Sequence, residues 1–185
     1  YTSSLATVEA AVDNKQLLYD YQKSFFKSAL SNAEKSKIDG YVFGDNYDEN
    51  RTRAFIDKLL RHRVKVYELN GSLTKNGYAY QAGKAYYVPT VQPQYRMVQS
   101  AYETYREYRD SVYYDASAWS LANFYNMKYA TVTGSVKTGD QVSFTTNKKV
   151  VPAVSESKLA YLINWDNYNA PQLAYYLQSN GVILS

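Results

Sequence analysis

Apolar residues recur at Leu5, Val8, Val12, Leu17, Leu18, Tyr21, Phe25, Phe26, Ala29 and Leu30, with no Pro or Gly among the intervening positions. That spacing lies close to one face of a helix and predicts a single long helix from Leu5 to about Lys35. Ser3 and Ser4 offer its N-cap. A helix of this length suits a connector packed along a neighbouring domain. Residues 1–36 are therefore read as an N-terminal connecting helix, and residues 37–185 as one α/β domain.

After the helix the period changes. Ile38-Asp39-Gly40-Tyr41-Val42-Phe43 is a short apolar run closed by Gly44, and Asp45-Asn46-Tyr47-Asp48 carries turn chemistry. Helical spacing returns from Glu49 to Arg63, with Ala54, Phe55, Ile56, Leu59 and Leu60 on the apolar face. Val64 to Leu69 predicts a second strand. Strand, loop, helix and strand make one βαβ unit, and such units build parallel sheets. The same order returns near the C-terminus. Leu159 to Ile163 is the strand, Asn164 to Asn169 the loop, and a helix follows with Pro171 in its first turn and Gly181 at its end. Val182-Ile183-Leu184 begins another strand.

Between the two units, Gly77 to Val88 predicts short strands or a hairpin, with Ala85 to Val88 the best strand. A helix is expected from Pro93 to about Asp110, and a shorter one from Ala116 to about Met127. Tyr129 to Val151 is strand-rich, with Thr138-Gly139-Asp140 as a turn between Gly134-Ser135-Val136 and Val142-Ser143-Phe144. The expected fold is an open, mostly parallel α/β sheet with helices on both faces, a long N-terminal helix and a β-hairpin insertion.

Composition supports a real core: 45% of residues are hydrophobic and 21% charged. The 21 basic and 17 acidic residues are interleaved, without the basic stripe of a nucleic-acid binder. No apolar run is long enough to span a bilayer, so membrane insertion is not expected. The absence of Cys removes disulfides, thiolate nucleophiles and thiolate metal sites together. Tyrosine is abundant, with 22 residues; it serves either half-buried packing positions or a stacking surface. The chain begins with Tyr1 and ends within an apolar run, so both ends read as cuts from a longer protein.

Catalytic constellations are missing. His62 is the only histidine and stands between Arg61 and Arg63, which oppose a metal ion but suit a helix C-terminus. No Gly-x-Ser-x-Gly elbow occurs. Gly71, Gly77 and Gly83 are too widely spaced for a phosphate-binding loop. Asp45 to Asn50 resembles the start of a calcium loop, yet Asn50 stands where glycine is needed and Ile56 where the closing Glu belongs. No catalytic, cofactor-binding or metal-binding residue is expected. Open α/β sheets bind ligands beyond the carboxyl ends of their strands. Here that edge would hold Asp45, Asn46 and Tyr47 from the first unit and Trp165, Asp166 and Tyr168 from the second. Such a crevice would contact another domain, or take a peptide or glycan.

Val88-Pro89, Gln92-Pro93-Gln94-Tyr95-Arg96-Met97-Val98 and Tyr113-Tyr114-Asp115-Ala116-Ser117-Ala118-Trp119-Ser120-Leu121 together carry a resemblance. They resemble a segment of large bacterial zinc carboxypeptidase-like proteins of the M14 type. In that family it follows the catalytic domain, in a region similar to flavodoxin-like, class I glutamine amidotransferase-like domains. The resemblance covers the chain from about residue 15 onward. It implies an exported parent, periplasmic, cell-surface or secreted, with this piece as a non-catalytic companion of the parent's own catalytic domain. Zinc would belong to that catalytic domain. The family's His-x-x-Glu pair is not matched, since His62 is followed by Arg63, Val64 and Lys65. The amidotransferase Cys is absent as well.

Overall fold

The computed structural model describes residues 1–104, 120–148, 151 and 153–184. Its central sheet contains β1 (Gly40–Gly44), β2 (Tyr67–Leu69), β5 (Ala85–Pro89), β6 (Tyr129–Val132) and β7 (Thr138–Gln141). They stand in the order β6-β1-β5-β2-β7. Every neighbouring pair is antiparallel. The expected mostly parallel, flavodoxin-like sheet is thus overturned, and the architecture is α+β.

The elements of the first unit form in the expected order, but their strands pair differently. β1, α3 (Glu49–Arg61) and β2 do follow one another as strand, helix and strand. However, β5 lies between β1 and β2, with Val42 opposite Tyr87 on one side and Tyr67 opposite Tyr87 on the other. The unit is therefore split. β1 is buried throughout, and β5 along all but its last residue. A central strand covered on both faces reads as a continuous apolar run whether its neighbours are parallel or antiparallel.

Alternation along the strands sorts the core into two layers. Tyr41, Phe43, Tyr86 and Val88 pack with Phe55, Ile56 and Leu59 of α3. The same layer takes Val98, Ala101 and Tyr102 of α4 (Tyr95–Tyr102) and Ala122 of α5 (Leu121–Phe124). Val42, Ala85 and Tyr87 point the other way, to Leu69, Tyr80, Ala130 and Val132. That face is covered by the hairpin of β3 (Leu73–Lys75) and β4 (Tyr78–Tyr80), and not by helices as expected. Asn76 and Gly77 form the two-residue turn with φ of 51° and 75°. Asn-Gly is the residue pair that a type I′ hairpin turn favours.

Three further expectations are corrected. The N-terminal helix is interrupted: α1 (Thr2–Asp13) and α2 (Lys15–Glu34) meet at Asn14. The Asn14 side-chain amide donates to the Ala10 carbonyl at 2.9 Å and competes with helix continuation. Thr138-Gly139-Asp140 is not a turn but most of β7, paired with β2. A Cβ at Gly139 would meet Glu68 Cβ at 3.5 Å, an ordinary contact, so the position is a plain strand residue and not a turn glycine. The second βαβ unit does not form. Residues 159–163 and 182–184 join no strand, and only its helix α6 (Ala170–Ser179) is present, with Pro171 in the first turn. An apolar run becomes a strand only when a ladder partner meets its backbone, and Leu159 and Leu162 lie exposed instead.

The helices expected from Pro93 to about Asp110 and from Ala116 to about Met127 are shorter: α4 stops at Tyr102, where Glu103 turns extended, and α5 begins at Leu121 after an extended Ser120. The Tyr113-to-Trp119 part of the resemblance lies outside the described residues. Among the described residues, contacts anchor only the C-terminal part of α2. Ala29 and Ala33 pack on Tyr95, and the Arg96 guanidinium lies 4.7 Å over the Phe25 ring. Among the described residues, no helix is long and apolar enough to cross a membrane.

Candidate functional site

The loop from β1 into α3 is built by its own acidic side chains. Asp45 Oδ1 accepts from the amides of Tyr47 (2.9 Å) and Asp48 (3.1 Å), while Asp45 Oδ2 pairs with Arg51 Nη1 at 2.7 Å. Asp48 caps α3, its Oδ1 accepting from the Arg51 amide at 3.0 Å. Thr52 Oγ1 accepts from the Asp45 amide at 3.0 Å. Asn46 turns to the β3–β4 hairpin. Its amide donates to the Tyr78 hydroxyl at 3.0 Å and its side chain to the Ala79 carbonyl at 2.8 Å.

The loop at 164–169 does reach this one, though without a second βαβ unit to carry it. The Tyr168 amide donates to Asp48 Oδ2 at 2.6 Å, and Arg51 Nη2 donates to the Asp166 carbonyl. Asp45, Asp48 and Arg51 are therefore committed to joining two loops, and the expected crevice is not assembled. Tyr47 is 93% exposed and Trp165 65% exposed, so neither lines a wall. Asp166 contributes its backbone. Of the six expected residues, Tyr168 lines the groove beside α3, its ring stacked 6.0 Å from that of Tyr125.

That cavity is a groove of about 440 Å³ beside α3. One wall is the polar side of α3, with Arg53, Asp57, Lys58 and Arg61. The other carries Tyr125, Tyr168, Asn147, Asn169 and Gln172. Arg61 Nε pairs with Asp57 at 2.8 Å across one helical turn. Among the described residues, Arg53 Nε is buried with no hydrogen-bond partner, and so is Asn147 Oδ1. Asn147 Nδ2 meanwhile donates to the Arg53 carbonyl at 2.9 Å, which fixes the amide against α3. Burial, and then the neighbouring Tyr168, push the Tyr125 hydroxyl up to about 12. Buried polar atoms without partners are uncommon, and here both belong to residues that line the groove.

The sequence signal for this site was the spacing of Arg53, Asp57, Lys58 and Arg61, which puts charge on the side of α3 away from Phe55, Ile56 and Leu59. What faces that side comes from segments some ninety residues away, such as Asn147 bonded to Arg53, and no local pattern announces it. His62 stands at the C-cap of α3, where the chain turns through Arg63. Among the described residues, no three His, Cys, Asp or Glu side chains gather into a metal-holding group. No family model, curated protein or solved structure matches the chain.

Proposed function

We propose that this chain is a non-catalytic accessory domain that packs on a neighbouring domain of its parent protein. The resemblance points to a zinc carboxypeptidase domain of the M14 type as that neighbour, in an exported protein. The observation that carries this reading is an apolar helical stripe that is covered only at its C-terminal end among the described residues. Leu18, Tyr21, Phe25, Ala29 and Ala33 recur along one side of α2. The last two are buried against α4, whereas Leu18 and Tyr21 are exposed. On α1, Leu5, Val8 and Val12 repeat the spacing and are all exposed. A contiguous apolar surface of this kind marks an interaction site.

Co-expression of this chain with the remainder of its gene product tests the reading. A stable complex that is lost in the double variant Val8→Glu with Leu18→Glu supports it. Two pieces that fold and do not associate overturn it. A second reading, a peptide- or glycan-binding module, is favoured by the groove beside α3, where convergent side-chain amides and two stacked tyrosines line a concave surface.

A further inference from the structure

We infer that the groove beside α3 is a binding site for a carboxylated oligosaccharide; this rests on the second reading above and names its ligand class. Charge sets the first requirement. Arg53, Lys58 and Arg61 line the groove against Asp57, the single carboxylate among the described lining residues, and Asp57 is already paired with Arg61. The remaining cations, Arg53 and Lys58, suit an anion. A guanidinium matches a carboxylate in geometry as well as in charge.

Mixed polarity sets the second requirement, since donors and acceptors stand side by side along the groove wall. Hydroxyl groups do both, and a sugar ring presents several close together. The side-chain amides of Asn147, Asn169 and Gln172 offer the same mixed donors and acceptors along the wall. The stacked pair of Tyr125 and Tyr168 supplies an aromatic platform for the apolar face of a sugar ring. An acidic peptide fits less well. Peptides are held by a sheet edge, by apolar or aromatic-lined grooves, or, for acidic motifs, by a cluster of arginines. Here Arg61 is already paired with Asp57, which leaves Arg53 as the one guanidinium for an anion among the described lining residues. This groove runs along α3 and α6, and its apolar lining is confined to Ala54 and the two tyrosine rings.

Titration calorimetry of the whole chain tests the inference with three probes: an oligosaccharide of a uronic acid, the same oligosaccharide with its carboxylates reduced to alcohols, and an acidic peptide of similar charge. The uronic-acid oligosaccharide is expected to bind, the reduced one at least tenfold more weakly, and the peptide not measurably. Arg53→Gln and Lys58→Gln should each weaken binding, Arg53→Gln by tenfold or more. Tyr47→Ala, which is exposed and outside the groove, should leave it unchanged. Lys58 is exposed, so its variant reports even if Arg53→Gln unfolds. Equal binding of the charged and reduced sugars overturns the inference and leaves a neutral-glycan module. Binding of the peptide alone overturns it in favour of a peptide module. Binding indifferent to both groove variants places the site elsewhere and overturns it. No binding by any probe overturns the binding-module reading too, and leaves the docking of α1 and α2 to its own test.

Discussion

The Tyr168 amide donates to Asp48 Oδ2 at 2.6 Å, so the side chain that caps α3 also holds a segment 120 positions further along the chain. Both oxygens of one buried carboxylate are thereby used. Removing them loses a cap, worth about 1 kcal/mol, and a hydrogen bond to a charged acceptor, worth about 1.5–3 kcal/mol. Asp48→Ala is expected to lower stability by about 2–4 kcal/mol in urea denaturation. Asp48→Asn keeps one oxygen and should cost less. In both variants the segment 159–169 should be cut faster by protease, because the tie across the loops is weakened.

Gly40 sits directly beneath the Tyr87 ring, and a Cβ at this position would collide with it. The Tyr87 hydroxyl donates to the Asp39 carbonyl at 2.9 Å, which holds the ring in place. Gly40→Ala is expected to cost about 1–3 kcal/mol, as overpacking does in a tight core. Combined with Tyr87→Ala, the loss should fall short of the sum of the two single losses, since the second change removes the collision. Denaturation of the four proteins of the cycle measures that coupling.

The end of α3 offers a stabilising change. The Val64 amide donates to the Leu59 carbonyl and the Arg63 amide to the Leu60 carbonyl, the pattern of a Schellman motif. Arg63 occupies the left-handed position with φ of 59°. α6 closes in the same pattern with Gly181 at that position. Arg63→Gly is therefore expected to raise stability by about 0.5–1 kcal/mol, read as a higher denaturant midpoint.

Gln92 is buried and completes the pairing of the chain entering β2. Its Oε1 accepts from the Lys65 amide at 2.8 Å and its Nε2 donates to the Pro89 carbonyl at 2.6 Å. Gln92→Glu keeps the shape and the acceptor but loses the donor. It should destabilise the chain by about 1–3 kcal/mol at neutral pH, the cost of leaving a buried polar group unmet.

Alkaline pH should weaken the fold. Burial, then Glu103, push the Tyr41 hydroxyl up to about 12, and burial, then Tyr168, do the same for Tyr125. In the unfolded chain each titrates near 10. A group whose folded value is raised contributes stability that is complete below about 10 and is lost as pH rises towards 12. The urea midpoint should fall across that window. Tyr41→Phe and Tyr125→Phe should each flatten the fall, and a midpoint unaffected by pH in that range would show that these hydroxyls titrate as in the unfolded chain.

The sequence carried the elements whose cause is local. α3 followed from the spacing of Phe55, Ile56 and Leu59, β1 and β5 from their apolar runs, and α6 from Pro171 and Gly181. It did not carry the order of strands. The insertion of β5 between β1 and β2 depends on which edges meet after the hairpin Leu73–Tyr80 has turned the chain back, and burial on both faces hides the direction of pairing. The site was half legible for the same reason. Asp45 and Asp48 signalled a structured loop, but Arg51 absorbs their charge. The groove wall around Asn147 is brought to Arg53 only by tertiary folding. Asn76-Gly77 was a turn signal available in the sequence and points directly to the β3–β4 hairpin.

Hydrogen–deuterium exchange, compared between this chain alone and the complete gene product, tests the accessory-domain reading most directly. Backbone amides of α1 and of α2 before Phe25 should exchange quickly in the isolated chain, where their apolar stripe has no cover, and become strongly protected in the complete protein. Equal exchange in the two preparations would show that no neighbouring domain covers the stripe and would contradict the account.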